Sequence, residues 1–277
     1  MTALKIKKSA TRRFFLLCLP FLVWSLSGHQ LALAAGQSCA GEAYDETVTV
    51  EHIHDGDTVK LADGRSIRLI GINAPEIARD GQPAEAFALP ARDLLRALIS
   101  SHDNQVKLIH GREKEDHYQR SLAHLFLPDG TNLQAQLLAS GLVNAINIPP
   151  NIRFSHCYLQ AEQRAFCDRK GLWSQPIPAI ENLNDSARGF HLLRGKIKAI
   201  NGSRSGLWLT LEHGLTLRVH PSRQSLFDRQ RLQSLIGQPV IVRGWLQTKH
   251  NPKKGERFYM EIKHPASIEA ENRALQC

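Results

Sequence analysis

The sequence predicts a β-rich α+β protein built as two domains in tandem. Short runs that alternate apolar and polar residues recur along the chain, separated by Gly, Pro and Asp turn signals. Only three stretches of the first half have helical spacing. The composition shifts after Ser174, where Gln175 to Ala187 carries Pro176 and Pro178 among polar residues and reads as a linker. A length of 277 residues suits more than one domain, and 42% hydrophobic with 22% charged residues is the balance of a globular protein.

Residues 1–35 read as an export signal: five basic and no acidic residues, an apolar run from Phe14 to Leu26, and the small-residue pattern Ala32-Leu33-Ala34. The run falls short of the ~20 residues of a membrane span. Thr11-Arg12-Arg13-Phe14-Phe15-Leu16 also resembles a twin-arginine signal, so both the general and the twin-arginine route stay open. No second apolar segment of that kind follows. The mature chain is expected in the periplasm or outside the cell, free of the membrane and monomeric.

Thr47 to Ile72 predicts three strands. His54-Asp55-Gly56-Asp57-Thr58 links the first two, and Asp63-Gly64 is a hairpin turn. Alternation puts Ile67, Leu69 and Gly71 on one face and Arg68, Ile70 and Ile72 on the other. Ile77 to Leu89 is a polar loop, and Pro90 opens a helix to Ile99. Val106 to Ile109 and Ser121 to Leu127 are strands four and five. Asn132 caps a helix to Ser140, stopped by Gly141. Leu142 to Ile148 is extended, and Phe154 to Lys170 is a third helix, ending before Gly171-Leu172-Trp173.

After the signal, Cys39, Cys157, Cys167 and Cys277 remain. Cys157 and Cys167 lie on the third helix, ~15 Å apart at 1.5 Å per residue. That exceeds the ~7 Å reach of a disulfide, so Cys39 is expected to pair with one of the two. The spacing does not match a zinc site.

In the second domain, Leu193 to Ile200 is a strand, and Leu207 to Leu211 and Leu215 to Val219 form a hairpin around Glu212-His213-Gly214. Gln224 to Ile236 reads as helix, with further strands at Pro239 to Leu246 and Arg257 to Ile268. Strand, hairpin, helix, strand, strand suits a small OB-like β-barrel. The boundaries are then signal 1–35, first domain 36–174, linker 175–188, second domain 189–270 and tail 271–277.

Charge separates the two domains. Residues 36–188 carry 15 basic and 20 acidic residues, a net of −5, while residues 189–277 carry 15 and 6, a net of +9. Such a split suggests that the second domain holds a polyanion while the first does something else. Lys249, Lys253, Lys254 and Arg257 cluster about one turn as candidate substrate contacts, interleaved with Trp208, Trp245, Phe258 and Tyr259.

The chemistry concentrates between His54 and Glu76. Folding at Asp63-Gly64 brings Asp57 near Asn73 to Glu76, collecting carboxylates, an amide oxygen and Arg68. Oxygen donors from several segments suit a hard divalent cation, and an arginine beside them suits a phosphate. A second arginine follows in Asp116-His117-Tyr118-Gln119-Arg120. Asp-Gly-Asp-Thr, then Arg-Leu-Ile-Gly-Ile-x-x-Pro-Glu, Asp-x-Tyr-x-Arg and Gly-Leu-Trp, in that order from Thr47 to Ser174, resemble the staphylococcal nuclease (thermonuclease) family.

The resemblance implies a five-stranded OB-type barrel with three helices and Ca2+-dependent hydrolysis of phosphodiesters in DNA and/or RNA. It implies Asp57, Asn73 and the Ala74 carbonyl as metal ligands, and Arg68, Glu76 and Arg120 as catalytic residues. Glu76 would act as general base and the arginines would stabilise charge on the phosphate. Tyr118 and His117 are its candidate nucleotide contacts. Three departures accompany it. Asn73 replaces an aspartate and should weaken calcium binding. Asn147 stands where the family has a base-side tyrosine, and His117 where it often has a lysine. Two other readings are a binding protein whose catalysis has decayed through Asn73, and an OB module for oligosaccharide or protein. The second domain also looks like one found on some secreted relatives, through Arg243-Gly244-Trp245 and Met260-Glu261-Ile262-x-His264-Pro265.

Overall fold

The computed structural model describes Thr2 and residues 39–78, 81–248 and 255–277. The expected export signal and its cleavage pattern lie outside the described residues.

In chain order the elements are β1 (Glu46–Ile53), β2 (Thr58–Leu61), β3 (Ser66–Leu69), β4 (Ile72–Asn73), α1 (Ala88–Ser100), β5 (Gln105–Glu115), β6 (Ser121–Phe126), α2 (Leu133–Ala139), β7 (Asn144–Ala145) and α3 (Ser155–Cys167). β1, β2, β3, β6 and β5 close a barrel in that order. β3 meets β6 in parallel, with Arg68 opposite Leu122, and the other pairings are antiparallel. This is the OB-type barrel that the family resemblance implies. Leu61, Ile67, Leu69, Leu108, Leu125 and Phe126 are fully buried in its core, as are Leu133, Leu137 and Leu138 of α2.

Strict alternation fails at Gly71. β3 stops at Leu69, and Gly71 takes a φ of +85°. The chain turns there, and Ile72 returns to the core, fully buried, instead of sharing the outer face with Arg68. The turn brings Gly71 against Tyr158 of α3, where a Cβ would stand 2.5 Å from the ring. Only glycine meets both demands. Below that ring runs a buried relay. The Asn132 amide donates to the Tyr158 hydroxyl at 3.3 Å, and that hydroxyl lies 2.8 Å from His124 Nδ1. Burial holds the His124 imidazole down at about 3, with Arg153 adding to the effect. It is therefore neutral and shares one hydrogen bond with the Tyr158 hydroxyl.

The later elements are β8 (Gly189–Ser203), β9 (Gly206–Leu211), β10 (Leu215–Val219), α4 (Arg229–Ser234), β11 (Pro239–Thr248), β12 (Phe258–Glu261), β13 (Ile268–Ala270) and α5 (Glu271–Ala274). β8, β9, β10, β12 and β11 close a second ring in the same order, again through a parallel pair, β10 with β12. β13 extends β11. The helix expected over Gln224 to Ile236 is broken. Phe227 is extended and buried in the second core, and Asp228 restarts the helix by capping Gln230 and Arg231 N–H. The expected strand from Arg257 also ends early, at Glu261. The stretch expected as a linker lies on this barrel, with Ile180 buried in its core and Leu183 packed against it.

Two covalent ties and one ion pair join α3 to the rest. Cys39 pairs with Cys157 and Cys167 with Cys277, at Cα separations of 5.7 and 5.6 Å. The first is the type of pairing expected for Cys39; the second ties the chain's last residue to α3. Between them on the same helix, buried Glu162 accepts from Arg243 of β11 at 2.7 Å. Glu162 also accepts from Ala145 N–H, and Arg243 donates to Ala145 O at 2.9 Å. The second barrel thus grips β7, which pairs with β4. Among the described residues no helix is long and apolar enough to cross a membrane.

Two stability predictions follow from the relay and the turn. A depressed imidazole pKa contributes stability that is complete above about 6.5 and is lost as pH falls toward about 3. Urea unfolding across that window should show an extra slope of about 1.4 kcal/mol per pH unit in the parent. His124→Gln should flatten it, and equal slopes would contradict the assignment. Separately, Gly71→Ala should cost more than ~2 kcal/mol, since strain at positive φ and the ring clash add. Gly64→Ala, also at positive φ but with nothing within 4 Å of its Cβ, should cost about 1 kcal/mol.

Candidate active site

The site forms where the β1–β2 turn meets the end of β3. Gly56 lets that turn sit close to α1 and to Ala74: a Cβ there would lie 2.7 Å from the Ala91 Cβ and 2.8 Å from the Ala74 Cβ. Asp57, 6% exposed, follows it. Its N–H donates to Asp55 Oδ1 at 2.8 Å, and its carbonyl accepts from Leu69 N–H at 2.8 Å. Its carboxylate receives three partners from different segments. Ala74 N–H donates to Oδ2 at 2.7 Å, the Thr58 hydroxyl to Oδ1 at 3.0 Å, and Arg68 Nη2 lies 3.0 Å from Oδ2. Burial raises the Asp57 carboxyl, to about 6, against the pull of the Arg68 charge; Asp55 adds to the rise, and the Ala74 and Thr58 hydrogen bonds oppose it.

Arg68 is held on several sides. Nη1 donates to Leu69 O at 2.7 Å and Ile72 O at 2.9 Å, while Nη2 reaches Asn73 Oδ1 at 3.4 Å as well as Asp57. Asn73 in turn donates through Nδ2 to Ala74 O at 3.2 Å. Arg120 approaches from the β5–β6 loop. Its Nε donates to Asp116 Oδ2 at 2.8 Å and its Nη1 to the Thr58 hydroxyl at 3.3 Å. Asp116 also accepts from the N–H groups of Tyr118 and Arg120. Burial works to raise its carboxyl, but the Arg120 backbone and guanidinium and the Tyr118 N–H prevail, and the net shift is downward.

The structure therefore brings Asp57, Arg68, Asn73, Ala74 and Arg120 into one contact network. Glu76 follows Ala74 by two residues on an exposed stretch, where its N–H donates to Glu85 Oε2 at 2.9 Å. Tyr118 is 69% exposed, its ring 3.8 Å from that of His117 and 5.4 Å from the Arg120 guanidinium. Arg257 is elsewhere, on the second barrel. It pairs with Asp185 at 2.7 Å and donates to Leu183 O, pinning the stretch before β8. Lys249, Lys253 and Lys254 lie outside the described residues. The sequence reading missed Thr58, whose hydroxyl joins the Asp57 and Arg120 halves, and Asp116, which orients Arg120. Both stand inside motifs already singled out, Asp-Gly-Asp-Thr and Asp-x-Tyr-x-Arg.

Among the described residues no three His, Cys, Asp or Glu side chains cluster as a metal site. The donors that could hold a cation are oxygens: the Asp57 carboxylate, the Asn73 amide and the Ala74 carbonyl. That set fits a hard cation such as calcium, with less negative charge than calcium sites commonly supply. Asp57 supports the fit, because a carboxylate that burial makes costly to ionise gains from an adjacent cation.

The chain is similar to known proteins along part of its length. A model of the family described as staphylococcal nuclease homologue matches residues 66–175. The thermonuclease of Staphylococcus hyicus is 30% identical over 145 residues, 51% of this chain and 82% of that protein. The thermonuclease of Staphylococcus intermedius is 29% identical over 133 residues, 47% and 77% of the two chains. An uncharacterized endonuclease of Escherichia coli is 28% identical over 137 residues, 47% of this chain and 79% of that one. The matched residues 66–175 take in β3 to α3 with Arg68, Asn73, Ala74 and Arg120; with a 30% identical thermonuclease covered over 82% of its length, the chain belongs to the staphylococcal nuclease homologue family.

Proposed function

We propose that this protein is an exported, calcium-dependent endonuclease that hydrolyses phosphodiester bonds in DNA and/or RNA. One observation carries the reading: the Thr58 hydroxyl joins a buried carboxylate held by Arg68 to a second arginine, Arg120. A binding surface has no need of two arginines drawn from two segments into one network bridged by a single hydroxyl. The similarity to thermonucleases and to an endonuclease supports the same class. Two disulfides support an oxidising compartment, as the basic, apolar leader does.

Each side chain has a separate task. Glu76 takes a proton from the attacking water, whose oxygen bonds to phosphorus as the ester P–O bond breaks. The departing oxygen leaves as an alkoxide and takes a proton from solvent. Arg120 stands with Nη1 on a hydroxyl, a weak partner that a phosphate oxygen can replace. Arg68 keeps Nη1 on two backbone carbonyls and Nη2 on Asp57 and Asn73, the oxygens a cation would take; a phosphate oxygen would then take over the Nη2 contact. Both stabilise charge that grows on the phosphate. Calcium, held by Asp57, Asn73 and Ala74 O, would supply Lewis acidity and a template. Tyr118 offers a face for a base beside Arg120.

A second reading rests on Asn73, an uncharged donor where a carboxylate would bind calcium more tightly: a nucleic-acid-binding protein with weakened turnover. Two measurements separate the readings. Glu76→Ala should lower turnover on DNA by ~10²–10³, the usual size for a lost catalytic group, with circular dichroism unchanged; cleavage at the parent rate would remove Glu76 from the mechanism. Asn73→Asp restores a charged ligand, so half-maximal activity and calorimetric calcium binding should both shift to lower calcium, by about tenfold. An unchanged or higher requirement would show that Asn73 is not a ligand.

A further inference from the structure

The second barrel meets the nuclease barrel along a cleft. Ile146, Asn147 and Ile148, which follow β7, line one wall. Phe190 of β8, Trp245 of β11 and Lys263 line the other. The four aromatic residues of this barrel that the sequence singles out have separate fates. Phe258 is fully buried. Trp208 is half-buried, its Nε1 spent on Ser203 and Ser205, and Tyr259 lies 6.3 Å from it. Trp245 is the most open of the four at 38% exposure, with the Phe190 ring edge-on at 5.3 Å. An exposed indole braced by a second ring is a rigid stacking surface.

Its surroundings favour an anionic strand. Lys263 makes no ion pair among the described residues, whereas Glu261 of the same cleft is paired with Arg223 at 3.1 Å. Residues 189–277 carry a net of +9 against −5 for residues 36–188. The cleft wall also follows closely in the chain on the strand that pairs with Asn73. Asn144 pairs with Asn73 across β7 and β4, and Asn147 lies three residues on, ~10 Å at 3.3 Å per residue. That distance is about one to two nucleotides of extended single strand. The Arg243 grip on Ala145 and Glu162 fixes this wall to the strand that carries Asn73.

We infer that the cleft between the barrels is a substrate subsite: a base of a single-stranded nucleic acid stacks on Trp245, and its phosphate contacts Lys263, while the cut is made at Arg68 and Arg120. The inference rests on the nuclease reading. It assigns the second domain a defined place on the substrate path rather than a diffuse attraction through its lysine-rich turn.

The test measures fluorescence anisotropy of a labelled eight-residue oligothymidylate with calcium, in a Glu76→Gln background that prevents hydrolysis. Trp245→Leu should weaken binding about tenfold, the usual size for one lost stacking contact. Trp245→Phe should restore most of it. Lys263→Gln should lower the slope of log affinity against log salt by ~0.7, one released counterion on a single strand. Because Trp245 also packs on Phe190, circular dichroism accompanies its variants, and half-buried Lys263, with no ion pair among the described residues, gives an independent reading. If the wild type cuts DNA while Trp245→Leu and Lys263→Gln bind like the parent, the subsite is wrong and the nuclease reading stands. If the parent neither binds the octamer nor, with Glu76 intact, cuts it, both fall.

Discussion

The site depends on the Arg68 guanidinium. It ties together two carbonyls of the turn after β3, the Asp57 carboxylate from the β1–β2 turn, and the Asn73 amide. Charged hydrogen bonds of this kind are worth ~1.5–3 kcal/mol each, and removing one partner of a buried ion pair costs ~3–5 kcal/mol. Arg68 therefore shapes the pocket in which it would act. A loss of activity in an Arg68 variant would mix a collapsed site with a lost charge. Glu76 is exposed on the stretch after Ala74, so its substitution should disturb the fold less.

Much of this arrangement is legible in the sequence because it is local. Asp-Gly-Asp-Thr and Arg-Leu-Ile-Gly-Ile-Asn-Ala-Pro-Glu are short, and one hairpin at Asp63-Gly64 brings them together. The Asn132 cap was legible for the same reason, since its side chain bonds Ala135 three residues on. Thr58 was not legible as a site residue, because its value lies in Arg120, 62 positions away. Ile72 defeats the two-residue alternation because Gly71 turns the chain, and that turn exists to admit Tyr158 of α3. Phe227 breaks a helix that periodicity favoured, because the second core takes its ring.

The stretch between the domains shows the limit of composition. Two prolines and polar residues suggest a free linker, yet Ile180 enters the second core, and Arg257 holds Asp185 and the Leu183 carbonyl. Charge arithmetic treated the second domain as a separate basic body. The structure instead joins it to α3 by a disulfide at the last residue and by an ion pair with buried Glu162. Neither partner of that pair has a local signal: Glu162 reads as one more polar residue of an amphipathic helix and Arg243 as a solvated strand residue. Through Ala145 their contact reaches β4, so the second barrel bears on the strand that presents Asn73.

The central claim, that this network cuts phosphodiesters with a cation on Asp57, Asn73 and Ala74, has a direct test. Mature protein is incubated with supercoiled DNA and with structured RNA, first with calcium and then with excess chelator. The account predicts nicking with calcium and its loss with chelator, restored when calcium is added back. Nicking that persists in chelator, or no nicking of either polymer at any calcium concentration, would contradict it.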